Sequence, residues 1–496
     1  MKRRLGELAD QPWDLLVIGG GIAGAGVARD AALRGLRVAL VEKEDFASGT
    51  SSRSTKLIHG GFRYLEQGEF RLVAEACRER TILQKVAPHL VRPQSFLLPV
   101  YDGDPRPLWQ LRFGMGLYDW LAGQPAELRH RALTAAETLR EEPRLNPSGL
   151  RGSIRFYDCQ TDDVRLCLEV LFDACQRDVP CVNYCEVVGA ERVRDRLTRV
   201  WARDVLTGRQ FDIRAQVVVN AAGPWVEHVV GITTWDPRRV ALSPTKGVHL
   251  LLPLLTRSHG IFFRSQVDRR MLFAVPWGDW TLLGTTDTDF RGDARNIWAE
   301  SRDVDYLLDR LHAILPAWAV DRRDVLGSFA GIRPLLRAPQ NAPSNRSREY
   351  QLVRHGRNLL SIVGGKYTTF RAIAEHTVDQ VFRLLDRRSP ACRTADTPLA
   401  ENVRNPRSTL GGGPDGLQDE DVRRACEREL AVTVADVLRR RTRLALGPHG
   451  GPETAARVSR LMSSLLNWDE ATRLRRLGEY VHEWEQSHAW QSASRG

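Results

Sequence analysis

Apolar and polar positions along the chain change regime several times. Near the N-terminus, Leu15 to Ile18 is an unbroken apolar run, followed by closely spaced glycines, an alanine-rich stretch and a second run from Arg37 to Val41. A continuous run bounded by turn residues predicts a parallel-sheet strand buried on both faces, and the stretch between the two runs predicts a helix. The same run recurs in "QVVVNAAGPW" (216–225) and in "NLLSIVGGKYTTFRAIAEHTVDQV" (358–381), where helical spacing takes over after Gly364 and Gly365. Between them, "GVHLLLPLL", "MLFAVP" and "WTLLGTTD" are apolar runs joined by short polar turns, which predicts an antiparallel sheet over 236–335. Residues 81–150 read as helical and interrupted by proline. Residues 386–420 shift to Pro, Gly, Asn and Asp, as a linker does. Beyond them "DVRRACERELAVTVADVLRRRTRLAL" and "ETAARVSRLMSSLLNW" return to helical spacing.

The glycines of the first unit have a defined chemistry. Gly19, Gly21 and Gly24 spell G-x-G-x-x-G at the junction of strand and helix. The first permits the tight turn, the second lets backbone approach a pyrophosphate, and the third lets helix and strand pack closely. The helix N-terminus then offers free amides and the positive end of its dipole to that pyrophosphate. Glu42, closing the second strand, is placed to accept from a ribose hydroxyl, which selects NAD or FAD. The motif means little without its setting: "TLGGGPDG" repeats it at Gly411, Gly413 and Gly416, where no strand precedes it and a proline interrupts it. That copy reads as linker. The 358–381 segment favours FAD, because the amides opening its helix can face the pyrimidine edge of a flavin, where reduction places negative charge.

Charge and composition narrow the partners. The net charge is +11, and only six of the 72 basic residues are lysines, Lys366 beside Gly364-Gly365 among them. The basic residues are spread along the chain without a DNA- or RNA-binding motif, which argues against nucleic acid. An anionic substrate or an anionic membrane surface remains. No apolar run approaches the roughly 18 residues of a membrane-spanning helix, and no secretory signal opens the chain. The expected location is cytoplasmic, in peripheral association with the cytoplasmic membrane. The eight cysteines lack metal-ligand spacing; five of them fall in 159–185, where buried reduced thiols are expected.

Several long segments in order, "IGGGIAGAGVARDAALRGL", "TSSRSTKLIHGGFRYLE", "VVNAAGPWV", "PTKGVHLLLP", "LLGTTDTDF", "GIRPLL" and "VGGKYTTFR", resemble the FAD-dependent glycerol-3-phosphate dehydrogenases of aerobic respiration, within the D-amino-acid-oxidase-like flavoproteins. The likeness runs from about residue 14 to 380. It implies an α/β fold: a Rossmann-like FAD-binding domain of the glutathione-reductase type (14–80, 151–235 and 336–385), an antiparallel β-sheet substrate or cap region (81–150 and 236–335), a linker (386–420) and a C-terminal helical domain (421–496). It further implies that Thr50, Ser51, Ser52, Ser54 and Lys56 face the cofactor with Gly223, Gly364, Gly365 and Lys366, while His59, Arg63 and Tyr64 reach toward substrate. Arg333 and Arg348 would join Arg63 and Lys366 in gripping a phosphate dianion, since arginine forks suit bidentate contact.

The reaction implied is oxidation of glycerol 3-phosphate by hydride transfer to the flavin, with electrons passed to a membrane quinone. An alcohol proton must also leave, and a base near operating pH favours histidine; His59 and His249 are the two candidates within the motifs. Arg333 would stabilise developing alkoxide, its pKa being too high for an ordinary base. A glycerol-3-phosphate oxidase using oxygen, or an amine or amino-acid oxidase of the same superfamily, is the alternative. "PLWQLRFGMGLYDWLAG" (107–123) sets Trp109, Phe113, Tyr118 and Trp120 beside Arg112, a composition that suits either a buried cap helix or one lying in the headgroup region of an anionic leaflet. A homodimer is left open.

Overall fold

The computed structural model describes residues 1–61, 68–234, 240–255, 258–337, 349–400 and 416–491. The strand Trp13–Ile18 is buried throughout. It pairs in parallel with Val38–Val41 on one side and Ala215–Asn220 on the other. Cys181–Val182 extends the sheet beyond Val38–Val41, Leu359–Gly364 extends it beyond Ala215–Asn220, and Tyr350–His355 closes that edge antiparallel. Alternate side chains of the first strand serve the two faces. Leu15 and Val17 pack under the helices Ile22–Leu33, Asp163–Gln176 and Phe370–Leu384. Leu16 and Ile18 pack against a three-stranded antiparallel layer, Cys185–Val193, Arg196–Asp204 and Gln210–Ile213. This double burial explains why the run is apolar rather than alternating.

The second layer is a ten-stranded, mostly antiparallel sheet. Its heart is the expected set Thr245–Pro253, His259–Arg264, Met271–Trp277 and Trp280–Gly284, with Gly327–Arg333 along the other edge of Thr245–Pro253. The helix Ser301–Ile314 covers one face and the helices Phe70–Val86 and Leu108–Ala122 contribute to the other.

Two expectations need correction. Residues 81–150 are not simply helical, because Arg92–Tyr101 is a strand of this sheet, paired with Leu150–Gln160. Leu150–Gln160 therefore belongs to the cap sheet rather than to the FAD domain assigned to 151–235. Pro93 and Pro99 suggested a break, but they flank the segment Ser95–Leu97, which alone is paired on both sides. A proline is tolerated where one edge needs no amide.

The helices Asp419–Glu429, Pro452–Leu466 and Glu470–His488, with the turn Asp436–Arg441, enclose a separate core around Val422, Val437, Val458, Met462 and Tyr480. All eight cysteines are free, Cys175 and Cys392 half-buried and the rest buried. Among the described residues no helix is long and apolar enough to cross a membrane.

Candidate active site

A cleft of about 350 Å³ runs from the glycine turn to the cap sheet. At its first end, Gly19 adopts φ +112°, and a Cβ there would stand 2.6 Å from the Ala221 carbonyl oxygen. A Cβ on Gly24 would stand 1.9 Å from the Gly19 oxygen, so the helix can lie on the turn only because this residue lacks a side chain. Gly21 ends the strand side of the turn without a side-chain cap for the helix. Ser51 Oγ accepts from the Ile22 amide at 3.0 Å. Glu42 accepts from the amides of Gly20 (2.7 Å) and Glu44 (3.0 Å), and its carboxyl is pushed up to about 7 by burial. Gly223 adopts φ +53° with open space where its side chain would be. The indole of Trp225 borders the same end, with the Lys43 ammonium 3.9 Å from its ring centre.

These features fit a dinucleotide. The helix opening, the uncluttered glycines and a partly dehydrated carboxylate lie on one continuous surface, as pyrophosphate and ribose require.

The loop that follows divides its side chains between cleft and core. Thr50 donates to the Ile332 carbonyl at 2.7 Å, and Thr50, Ser51, Ser54 and His59 line the cleft. Lys56 does not face the cofactor as expected. Its ammonium is buried against Asp163 Oδ1 at 2.6 Å and the Ser52 carbonyl at 2.6 Å, in a backbone with φ +60°. Ser52 likewise turns inward to the Gly49 carbonyl and is absent from the cleft wall. Ser54 Oγ reaches the same Asp163 at 2.7 Å while bordering the cleft. Gly60 is close to the cap rather than open to a ring: its amide donates to Tyr118 Oη at 2.9 Å, and a Cβ would collide with that oxygen and with Cys77. Tyr118 in turn donates to Asp158, which also receives Arg80.

Arg333, His249, Lys366 and His59 line the same cleft. The Arg333 guanidinium donates to the Thr286 carbonyl (3.2 Å), Asp287 Oδ1 (3.1 Å) and Thr285 Oγ1 (2.8 Å). It lies over Gly247, where a Cβ would stand 2.3 Å from Nη2. His249 is stacked on Phe329 with ring centres 4.9 Å apart, and its Nε2 is 3.0 Å from Thr55 Oγ1. Burial, then the charges of Arg333 and Lys56, hold this imidazole well below its ordinary pKa, so it is neutral. Gly364 (φ +79°) and Gly365 (φ +102°) bring Lys366 to the cleft ahead of the helix Phe370–Leu384. Arg63, Tyr64 and Arg348 lie outside the described residues.

Sequence reasoning missed Thr55, Arg53, Asp158 and Trp225 as cleft residues. Thr55 and Arg53 stand inside a segment already singled out, and Trp225 ends "VVNAAGPWV". Asp158 had no local signal.

With this geometry in place, comparison with known proteins is specific. Residues 14–380 match the family described as FAD dependent oxidoreductase, and residues 395–473 match the C-terminal domain of alpha-glycerophosphate oxidase. A glycerol-3-phosphate dehydrogenase of Synechocystis is 38% identical over 80% of this chain and 75% of its own length. An aerobic glycerol-3-phosphate dehydrogenase of Bacillus subtilis is 37% identical over 80% of this chain and 72% of its own. The solved glycerol-3-phosphate dehydrogenase of Bacillus halodurans, complexed with FAD, superimposes with a TM-score of 0.78 at 28% identity, covering 99% of this chain and 98% of that one.

Proposed function

Since the chain belongs to the FAD dependent oxidoreductase family and, within it, groups with the glycerol-3-phosphate dehydrogenases, we propose that it oxidises sn-glycerol 3-phosphate to dihydroxyacetone phosphate and delivers the electrons to a membrane quinone. One observation carries the substrate assignment: Arg333 and Lys366 line the same cleft as the dinucleotide turn, with Arg333 acting on a neutral His249. Fixed cations there suit a phosphate dianion and a developing alkoxide.

Bound FAD supplies the acceptor for the hydride leaving C2. The chain's own residues do the rest. Glu42 and the amides of the glycine turn hold ribose and pyrophosphate, and Thr50, Ser51 and Ser54 border the cofactor. Lys366 and Arg333, with Arg63, Tyr64 and Arg348, bind the anionic substrate. Arg333 cannot swing freely, because Asp287, Thr285 and Thr286 hold three sides of its fork. That fixity places its charge before reaction begins. His249 takes the hydroxyl proton. Burial, then the charges of Arg333 and Lys56, disfavours the imidazolium, and the charge of a bound phosphate offsets the cations' part, so basicity rises when substrate arrives. His59, which also lines the cleft, is the second candidate for this proton.

The helix Leu108–Ala122 supports the membrane reading. Leu111, Met115 and Tyr118 are buried against the sheet, whereas Trp109, Phe113 and Trp120 are 69%, 79% and 76% exposed. Exposed aromatics beside Arg112 suit an interfacial helix that lies in the headgroup region of an anionic leaflet. The deciding experiment is anaerobic bleaching of the flavin by glycerol 3-phosphate, followed by reoxidation with a quinone or with oxygen. No bleaching sinks the substrate; faster reoxidation by oxygen than by quinone makes the protein an oxidase.

A further inference from the structure

The C-terminal helical unit is joined to the cofactor loop by charges that lie wholly outside the cleft. Asp45 and Arg441 are both 0% exposed. Arg441 grips Asp45 bidentately, Nη1 to Oδ2 at 2.7 Å and Nη2 to Oδ1 at 2.9 Å. Arg440 Nε donates to the same carboxylate at 2.6 Å, while its Nη2 donates to Asp436 at 2.6 Å. Arg441 is itself fixed by the Glu429 carbonyl at 2.7 Å, and Glu429 receives both Nη atoms of Arg165 at 3.0 Å. Asn183 completes the cluster, donating to Asp45 (3.2 Å) and to the Leu430 carbonyl (2.9 Å). Burial alone would raise the Asp45 carboxyl, but Arg441 and Arg440 hold it below its ordinary range.

Asp45 stands three residues after Glu42, and the turn between them folds onto the dinucleotide site. Ala47 donates to the Gly20 carbonyl at 3.1 Å, and the Glu42 carboxylate takes the Gly20 amide. A second attachment lies beyond: Arg443 pairs with Asp162 at 2.6 Å, next to the Asp163 that holds Ser54 and Lys56. Both arms of the segment 42–56 are thus tied, directly or through one neighbour, to residues 429–443. That segment contributes Glu42, Ser48, Thr50, Ser51, Arg53 and Thr55 to the cleft.

We propose that the C-terminal unit is a clamp that sets how long FAD stays bound, with Asp45, Arg440 and Arg441 as its positioning residues. None of the three borders the cleft, so each acts through the loop and not on the cofactor. Loosening the cluster lets the Glu42 turn open toward solvent, and the dinucleotide leaves by that route.

The test uses full-length holoenzyme with Arg441→Gln, and Arg440→Gln as the milder change that leaves the bidentate contact standing. FAD release is followed by recovery of flavin fluorescence on dilution, and apoprotein melting and far-UV helicity are recorded in parallel. The expected result is release faster by about tenfold or more in whichever variant keeps wild-type helicity, with Arg441→Lys closer to wild type because it restores the charge. A staple that serves folding alone would lower apoprotein melting and leave FAD release within about threefold of wild type. Release below about tenfold in a helical variant, whether or not melting falls, overturns the clamp.

Discussion

Lys56 Nζ lies 2.6 Å from Asp163 Oδ1, with the two side chains 1% and 0% exposed. The loop that borders the cofactor is thereby anchored by a charge pair in the core. Removing one member strands the other without solvent, at a cost of about 3–5 kcal/mol. Lys56→Met should lower the apoprotein's stability by that order and loosen Ser54, which shares the carboxylate. Chemical denaturation checks it; a loss under about 1 kcal/mol would mean the pair is not desolvated as described.

FAD affinity should depend on pH through Glu42. Burial pushes its carboxyl up to about 7, and a ribose hydroxyl needs the carboxylate as acceptor. Binding therefore expels a proton below that value, so affinity should climb as pH rises toward about 7 and level off above it. Titration of apoprotein with FAD from mildly acid to neutral pH reads this directly. Glu42→Gln should abolish the slope, and an unchanged slope would place the titrating group elsewhere.

Substrate oxidation should show a split pH profile. His249 is neutral in the free enzyme far below its usual range, because burial and the charges of Arg333 and Lys56 oppose protonation. The acid limb of kcat/KM, which reports free enzyme, should then fall well below the ordinary histidine value of about 6.5. The limb of kcat should sit higher, since bound phosphate favours the imidazolium. His249→Asn should remove the kcat limb with FAD retained; persistence of that limb transfers the role to His59.

Gly247 offers a way to disturb Arg333 without touching its charge. A Cβ at this position would stand 2.3 Å from the guanidinium. Gly247→Ala should displace the fork from Asp287 and Thr285 and lower kcat by roughly ten- to a hundredfold with flavin absorbance intact. Arg333→Ala should lose about a hundredfold or more in kcat/KM. Near-normal turnover in both would show that the alkoxide develops elsewhere.

Liposome sedimentation separates the two possible uses of the exposed aromatic face. Binding to anionic vesicles should weaken with salt, because a surface charge contributes about 1 kcal/mol per basic residue and is screened within a Debye length. It should drop further in a Trp109→Ala, Trp120→Ala double variant. Equal binding by that variant would assign the attachment to another surface.

How much of this was legible depended on how local each cause is. The glycine turn is complete within Gly19 to Glu42, and steric needs at Gly19 and Gly24 arise from neighbours a few residues away or from the adjoining strand. Strand Arg92–Tyr101 was obscured by two prolines whose harmlessness depends on which edges are paired. Lys56 was misread for the same kind of reason. In a hydroxyl-rich loop a lysine reads as a ligand contact, and only the fold brings Asp163, 107 residues away, to its ammonium. Tyr118 belongs to a segment that suited either a buried cap helix or an interfacial one, and it faces inward and holds Gly60. At the C-terminal end, the long helical pattern is broken by left-handed residues at Leu430 (φ +55°) and Arg443 (φ +62°), neither a residue type that announces a turn.

The order in which these parts leave the ribosome sets a timetable. The strand Trp13–Ile18 is made early, but its neighbour Ala215–Asn220 is flanked by Leu359–Gly364, and Asp45 waits for Arg441, 396 residues later. At about 5–20 residues per second, that interval lasts roughly 20–80 s. Throughout it the glycine turn exists without its finished surroundings, and Asp45 has no arginine partners from the C-terminal unit. A chain that stops short of Arg440 and Arg441 leaves the Asp45 carboxylate without those two partners, so the loop beside the glycine turn gains its last anchorage only when synthesis is nearly complete.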